Sequence, residues 1–297
     1  MYSFARMKLL IVTFLNGLTL AALYFLVAAG FSLIFGLLRQ VNLAHGSLFL
    51  VGSYTGFSAA QWSGFWWFGA FVGAAASAGL GLLMYVALFR RFQGDEMRQT
   101  LASVALSIIL ADVMLWFWGG APHQLDLPDA LTGSVVLGMG IKYPVSRLFV
   151  TGLTLLVGLG LFVLLSRTRF GVLVRAGVED AEMLAASGVP VQRLFMATFA
   201  LGAALTGFAG VVGASVLSVS PGEDARYLLA SLVVVIVGGI GSLRGAAVGA
   251  LLIGLAEQMG LVYAPTYGVV FTFVLMVAVL RWRPHGLFGV AGGLRHV

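Results

Sequence analysis

Apolar runs separated by short polar breaks recur along the whole 297-residue sequence. They cover residues 11–38, 44–60, 62–89, 100–118, 145–165, 194–217, 228–240, 246–262 and 267–280. A helix needs roughly 20 apolar residues to cross a hydrocarbon core of about 30 Å. The runs therefore predict an all-α, polytopic transmembrane helical bundle of about eight to ten segments. Composition excludes the water-soluble alternative. With 60% hydrophobic and only 9% charged residues, folding could not hide the apolar surface from water.

The formal charge of +6 does not indicate nucleic acid, because the charges are sparse and lie between the apolar runs. They instead set orientation through the excess of Lys and Arg on cytoplasmic loops. With nine spans and a cytoplasmic C-terminus, twelve of the 17 basic residues fall inside: Arg39, Arg90, Arg91, Arg98, Arg167, Arg169, Arg175, Arg193, Arg244, Arg281, Arg283 and Arg295. Five fall outside: Arg6, Lys8, Lys142, Arg147 and Arg226. The opening MYSFARMKLLIVTFLNG starts basic and turns apolar like a signal peptide. Its apolar run continues to Leu38 without a small-residue cleavage site, so it reads as a retained first helix. The chain reads as one transmembrane domain over 1–297 with two long loops, 119–146 outside and 166–193 inside. The inner loop is the most charged stretch, and Gly188 and Pro190 end its helical segment.

Small residues recur at a spacing of four: Gly69, Gly73, Ser77 and Gly81; Gly202, Thr206, Gly210 and Ala214; Gly241, Gly245 and Gly249. That spacing puts each set on one helix face, where it lets neighbouring backbones approach closely.

Polar groups inside the bilayer are costly and point to function by default. In LRQVNLAHGSLFLVGSY, the residues Gln40, Asn42, His45 and Gly46 interrupt two apolar runs. An unbonded amide facing lipid would cost several kcal/mol. The stretch is expected to be a helix break whose side chains either cap the second helix or line a cavity. Asp112, alone in SIILADVMLWFW, should face the bundle or a wet cavity, or be protonated. Glu257 lies near the outer end of its span, either interfacial or on a path. The run VGGIGSLRGAAVGALLIG lacks the Gly-Lys-Ser/Thr ending of a P-loop. The sequence offers no metal-ligand spacing and no nucleophile triad; the four histidines are scattered and cysteine is absent. ATP-driven work would thus need another polypeptide.

These segments together resemble the branched-chain amino acid ABC transporter permeases of the LivH type. GLTLAALYFLVAAGFSLIFGLLRQVNLAHGSLFLVGSY is similar to that family's first signature, with Leu43 where Phe is usual. SRTRFGVLVRAGVEDAEMLAASGVPVQRLFMATFALGAALTGFAGVV is similar to its cytoplasmic loop and following helix. GGIGSLRGAAVGALLIGLAEQMG and RWRPHGLFG are similar to its last two signatures, in the same order. The resemblance implies an importer subunit of a bacterial inner membrane that carries out no covalent chemistry and binds no cofactor itself. ATP and Mg would sit on two cytoplasmic ATPase chains. Further partners would be a second related permease, an external substrate-binding protein and membrane lipid, with no nucleic acid.

The resemblance further implies that Glu179–Gly188 is a coupling helix, in which Glu179, Asp180, Glu182, Ala185, Ala186 and Gly188 dock in the ATPase groove. It puts Asn42 and His45 at a break near the cytoplasmic side of the translocation path. Asp112 departs from the neutral residue expected there, which widens the solutes from branched-chain to other amino acids, amides, urea or aromatic acids. The alternative is an ion-coupled secondary transporter using Asp112.

Overall fold

The structure is a computed structural model that describes residues 2–38 and 41–289. Arg39, Gln40 and Arg295 lie outside the described residues. The chain forms α1 (Tyr2–Leu38), α2 (His45–Ser63), α3 (Trp66–Met84, continued by a π-helical turn over Tyr85–Phe89) and α4 (Glu96–Trp118). A short hairpin of β1 (Ser134–Leu137) and β2 (Ile141–Pro144) follows. Then come α5 (Val145–Arg167), α6 (Arg169–Glu179), α7 (Ala181–Ala186), α8 (Val191–Ala214), α9 (Asp224–Gly238), α10 (Leu243–Tyr263) and α11 (Gly268–Trp282). Each of the nine apolar runs corresponds to one of these helices. By length and composition alone, six are long and apolar enough to cross a membrane: those ending at Leu38, Phe89, Trp118, Arg167, Ala214 and Tyr263.

The hairpin is the departure from the all-α expectation. Ser134 pairs with Pro144 and Leu137 with Ile141, and Gly140 at φ +70° makes the turn. Tyr143 anchors it by pairing its hydroxyl with Thr19 of α1 at 3.1 Å. The hairpin and the start of α1 thus mark one end of the bundle. The opposite end holds α6 and α7, where Leu37 of α1 packs with Val174, Leu184 and Leu194.

The small-residue stripes explain the central packing. A Cβ added at Gly73 would stand 2.5 Å from the Gly52 carbonyl oxygen, and one at Gly69 2.6 Å from that of Gly56. Ser77 Oγ donates to the Leu48 carbonyl at 2.9 Å, so α3 runs antiparallel to α2 with backbone against backbone. At Gly81 an added Cβ would lie 2.5 Å from the Ala203 methyl, and at Gly202 2.7 Å from the Gly30 carbonyl oxygen. Gly210 is pressed against the Phe49 carbonyl. Helix α8 therefore wedges between α1, α2 and α3. Gly245 and Gly249 let α10 approach α9 at Gly238 and Val234, while Gly241 (φ +74°) turns the chain between them. The tail closes over that turn through Leu287 N–H to the Val237 carbonyl (2.9 Å) and Phe288 N–H to Gly238 (2.8 Å).

Candidate functional site

Helix α2 begins inside the bundle. Its first residue, His45, is fully buried, and its Nε2 lies 3.1 Å from the Val27 carbonyl oxygen of α1. Val27 is eleven residues before the end of α1, so the break sits roughly 16 Å inside that end at a rise of about 1.5 Å per residue. The break therefore lies well inside the bundle rather than at the end of α1.

The break is held by side chains. Ala44 N–H donates to Asn42 Oδ1 at 3.0 Å, His45 N–H to the Asn42 carbonyl at 3.2 Å, and Leu43 N–H to Ser103 Oγ of α4 at 3.1 Å. Asn42 thus satisfies an amide that the missing preceding turn leaves free. A carbonyl can only accept, so His45 carries its hydrogen on Nε2 and shares it between Val27 and Thr206 Oγ1 (3.1 Å). Thr206 itself donates to the Gly202 carbonyl at 2.8 Å. The buried atoms Asn42 Nδ2 and His45 Nδ1 have no hydrogen-bond partner.

A second helix starts at the same depth. A Cβ at Gly46 would collide with the carbonyl oxygen of Asp224, the first residue of α9. Ser47 Oγ donates to Asp224 Oδ2 at 3.3 Å. Glycine at 46 is required here by close approach, since any side chain would force the two helix starts apart. Beside them Tyr24 O–H donates to Glu257 Oε2 at 2.7 Å, and Arg226 Nη2 lies 3.8 Å from Glu257 Oε1. Glu257 is 8% exposed and so belongs to the interior rather than the interface. The Arg226 side chain is 52% exposed.

At the end carrying α6 and α7, Asp180 separates the two helices. Its extended backbone (φ −151°) ends α6, and its Oδ1 accepts from Met183 N–H at 2.9 Å to start α7. The expected helix over Glu179–Gly188 is therefore shorter: Glu179 closes α6, and α7 covers Ala181–Ala186. Leu184 anchors α7 to the bundle, whereas Glu182, Met183, Ala185 and Ala186 are exposed. Gly188 ends the segment at φ +83°, where its N–H donates to the Ala185 carbonyl at 3.0 Å. Open grooves of about 310 and 460 Å³ run along α7; one is lined by Leu37, Gln93 and Glu179, the other by Ala185 and Gln192.

Residues 13–280 match the family described as the branched-chain amino acid transport system / permease component. The chain belongs to this family. It is 30% identical to LivH of Escherichia coli strain K12, over 92% of this chain and 94% of that protein. It is 29% identical, over the same shares, to BraD of Pseudomonas aeruginosa. Both are named high-affinity branched-chain amino acid transport system permease proteins. It is also 25% identical to LivM of E. coli K12, another permease protein of such a system, over 91% of this chain and 68% of LivM. No solved structure matches. As a family member the chain is a multi-pass membrane permease subunit of an ABC-type transporter, not an enzyme. Membership supports this reading and not the ion-coupled alternative.

Asp112 lies on α4. The expectation that it faces the bundle is corrected: it is exposed on the outer face of α4 beside Ile108, Ile109 and Trp116. The buried face of α4 carries Gln99, Ser103 and Met114, and Asp112 lies two residues, or about 200°, from Met114 around the helix. The sequence reading gave no site role to Ser103 or Tyr24, named Thr206 only for packing, and counted Arg226 only as an outside charge. Arg226 offered a signal, in the charged cluster GEDAR at the head of a short apolar run.

Proposed function

We propose that this subunit forms half of the translocation path of an ATP-driven importer for branched-chain or other small amino acids. The observation that carries the reading is Arg226, half exposed at the depth where α2 and α9 both begin. A guanidinium cannot face hydrocarbon at that depth without large cost. The α9 face bearing Ala225, Arg226 and Leu229 therefore lines water or a partner subunit. Helix starts at mid-depth are a recurrent way to put polar backbone groups on a path. On this reading Asn42, His45 and Gly46 hold the break, Glu257 fixes Arg226 on the path, and Asp112 is not needed for ion coupling.

The chain acts as one permease domain in a bacterial inner membrane, with its C-terminus cytoplasmic. The basic residues Arg90, Arg91, Arg98, Arg167, Arg169, Arg175 and Arg193 support this orientation, since all lie toward the end with α6 and α7. Residues 166–193 then form the coupling loop and 119–146 the external loop. A second permease pairs with this one, two cytoplasmic ATPases hold ATP and Mg, and an external binding protein delivers the solute. The similarity of the chain to both LivH and LivM supports a paired permease. A short capped helix such as α7 can pass nucleotide-driven closure to the bundle as a rigid-body movement.

This chain has no native cysteine, so labelling read on this subunit alone reports the introduced residue. In the assembled complex, Ala225→Cys should react with a charged, membrane-impermeant thiol reagent. Leu155→Cys, on the 69% exposed apolar face of α5, should not. Equal reactivity, or labelling only at residue 155, would refute the path.

A further inference from the structure

Around Glu223, three residues before Arg226, the structure leaves three oxygen atoms without partners. The hydroxyls of Tyr54 and Tyr227 and Oε2 of Glu223 are buried and make no hydrogen bond. The two tyrosines are only 1% and 2% exposed. Buried polar groups are nearly always paired, so three orphans in one neighbourhood call for an explanation. Both tyrosines lie within electrostatic range of the Glu223 carboxylate.

Local structure brings them together. Glu223 immediately precedes α9, and its carbonyl accepts the N–H groups of Arg226 (3.0 Å) and Tyr227 (3.3 Å), so all three belong to one turn. The Tyr227 ring stacks on Phe49 of α2 with centroids 3.7 Å apart. Tyr54 lies on the same helix, further toward the hairpin end. Trp118 (5.2 Å) and His123 (5.8 Å) cover its ring, and an antiparallel bridge between His123 and Val219, the latter just before α9, pins this part of the loop.

The chemistry of the three atoms is that of an ammonium receptor. A primary ammonium has three N–H donors and no acceptor. Two neutral phenol oxygens and one carboxylate oxygen supply three acceptors and one compensating charge. One helical turn on, Arg226 has five N–H donors and a loose contact, at 3.8 Å, with Glu257, and the Glu223 carboxylate also lies within electrostatic range. A carboxylate arriving beside it finds a cation with donors to spare. The ammonium and carboxylate of an α-amino acid share one carbon atom, so the two sites must be neighbours, and the Glu223 carboxylate lies within electrostatic range of Arg226.

We propose that Glu223, Tyr54 and Tyr227 bind the ammonium group, and Arg226 the carboxylate, of a zwitterionic amino acid at the head of α9. The proposal rests on the amino-acid importer reading and adds a recognition point within the membrane. It gives the permease its own filter behind the binding protein: an amine without the acid, or an acid without the amine, engages only half of it.

The test uses the assembled complex of both permeases and both ATPases in lipid nanodiscs, titrated with three probes of one carbon skeleton. These are leucine, 3-methylbutylammonium and 4-methylpentanoate. Glu223→Gln should weaken leucine and 3-methylbutylammonium by tenfold or more and leave 4-methylpentanoate within twofold. Arg226→Gln should show the converse pattern, weakening leucine and 4-methylpentanoate. Tyr227→Phe, which keeps the stacked ring, should weaken both ammonium probes by three- to tenfold. Loss of all three probes together in Glu223→Gln means a structural role and overturns the proposal, as does no loss at all. Binding of sodium over choline that disappears in Glu223→Gln also overturns it, by making the oxygens a metal-cation site. ATP-driven leucine uptake by the unaltered complex with its binding protein tests the underlying reading separately. Uptake that persists in Glu223→Gln and Arg226→Gln sinks only the site. No uptake of any amino acid by the unaltered complex sinks the reading itself.

Discussion

The hydroxyl of Tyr24 on α1 donates to Oε2 of Glu257 on α10 at 2.7 Å, in the interior of a bundle that is otherwise mostly apolar. The bond spans the antiparallel α1–α10 contact and fixes the carboxylate that faces Arg226. Tyr24→Phe leaves a buried carboxylate oxygen unpaired, which costs about 1–3 kcal/mol. The expected result is a lower thermal midpoint of the solubilised complex. Glu257→Gln keeps an acceptor for Tyr24 and removes only the charge opposite Arg226, so it should keep stability and reduce uptake. The reverse ranking in a thermal-melt and uptake pair would show that the carboxylate serves packing alone.

Two glycines of α3 make a controlled comparison. A Cβ at Gly73 would lie 2.5 Å from the Gly52 carbonyl oxygen, whereas nothing lies within 4 Å of one at Gly79. Gly73→Ala should force α2 and α3 apart and sharply lower the yield of folded protein. Gly79→Ala, on an open helical surface, should be neutral or stabilising by about 0.5–1 kcal/mol. Size-exclusion yield and melting temperature measure both; similar losses would remove the close-packing argument.

Asn42 acts through its acceptor. Asn42→Asp retains an oxygen for Ala44 N–H, whereas Asn42→Leu removes it at a cost near 1 kcal/mol, the usual scale for a lost cap. Uptake should therefore fall further in Asn42→Leu than in Asn42→Asp. Equal activity in the two variants would show that the bond to Ala44 is dispensable.

At Gly188 an added Cβ meets nothing, so only the backbone conformation at φ +83° restricts the residue. Asn tolerates that conformation and β-branched residues do not. Gly188→Asn should retain most uptake, and Gly188→Val should lose co-purification of the ATPases while the membrane fold stays intact. Normal ATPase recovery with Gly188→Val would detach this turn from coupling.

The spans were legible in the sequence because hydrocarbon thickness dictates apolar length, and even the short runs at 228–240 and 267–280 correspond to helices. The glycine stripes were legible because a spacing of four defines a face whatever it packs against. Depth was not. Whether a break such as Asn42–His45 lies at the end of a span or halfway along it depends on a partner helix, here Val27 and Thr206, far off in sequence. Direction around a helix was lost at Asp112 for a related reason: α4 is apolar on nearly all sides, so no pattern marks the buried face that Gln99, Ser103 and Met114 make. Arg226 counts as an outside charge in the sequence because a charge count assumes water, whereas its short helix begins inside the bundle.

The most direct test is leucine accumulation in proteoliposomes carrying this chain with its second permease, ATPases and binding protein. Accumulation should require ATP, survive a proton and sodium ionophore, and be unchanged in Asp112→Asn. Accumulation without ATP that collapses with the ionophore and is lost in Asp112→Asn would contradict the ATP-driven account.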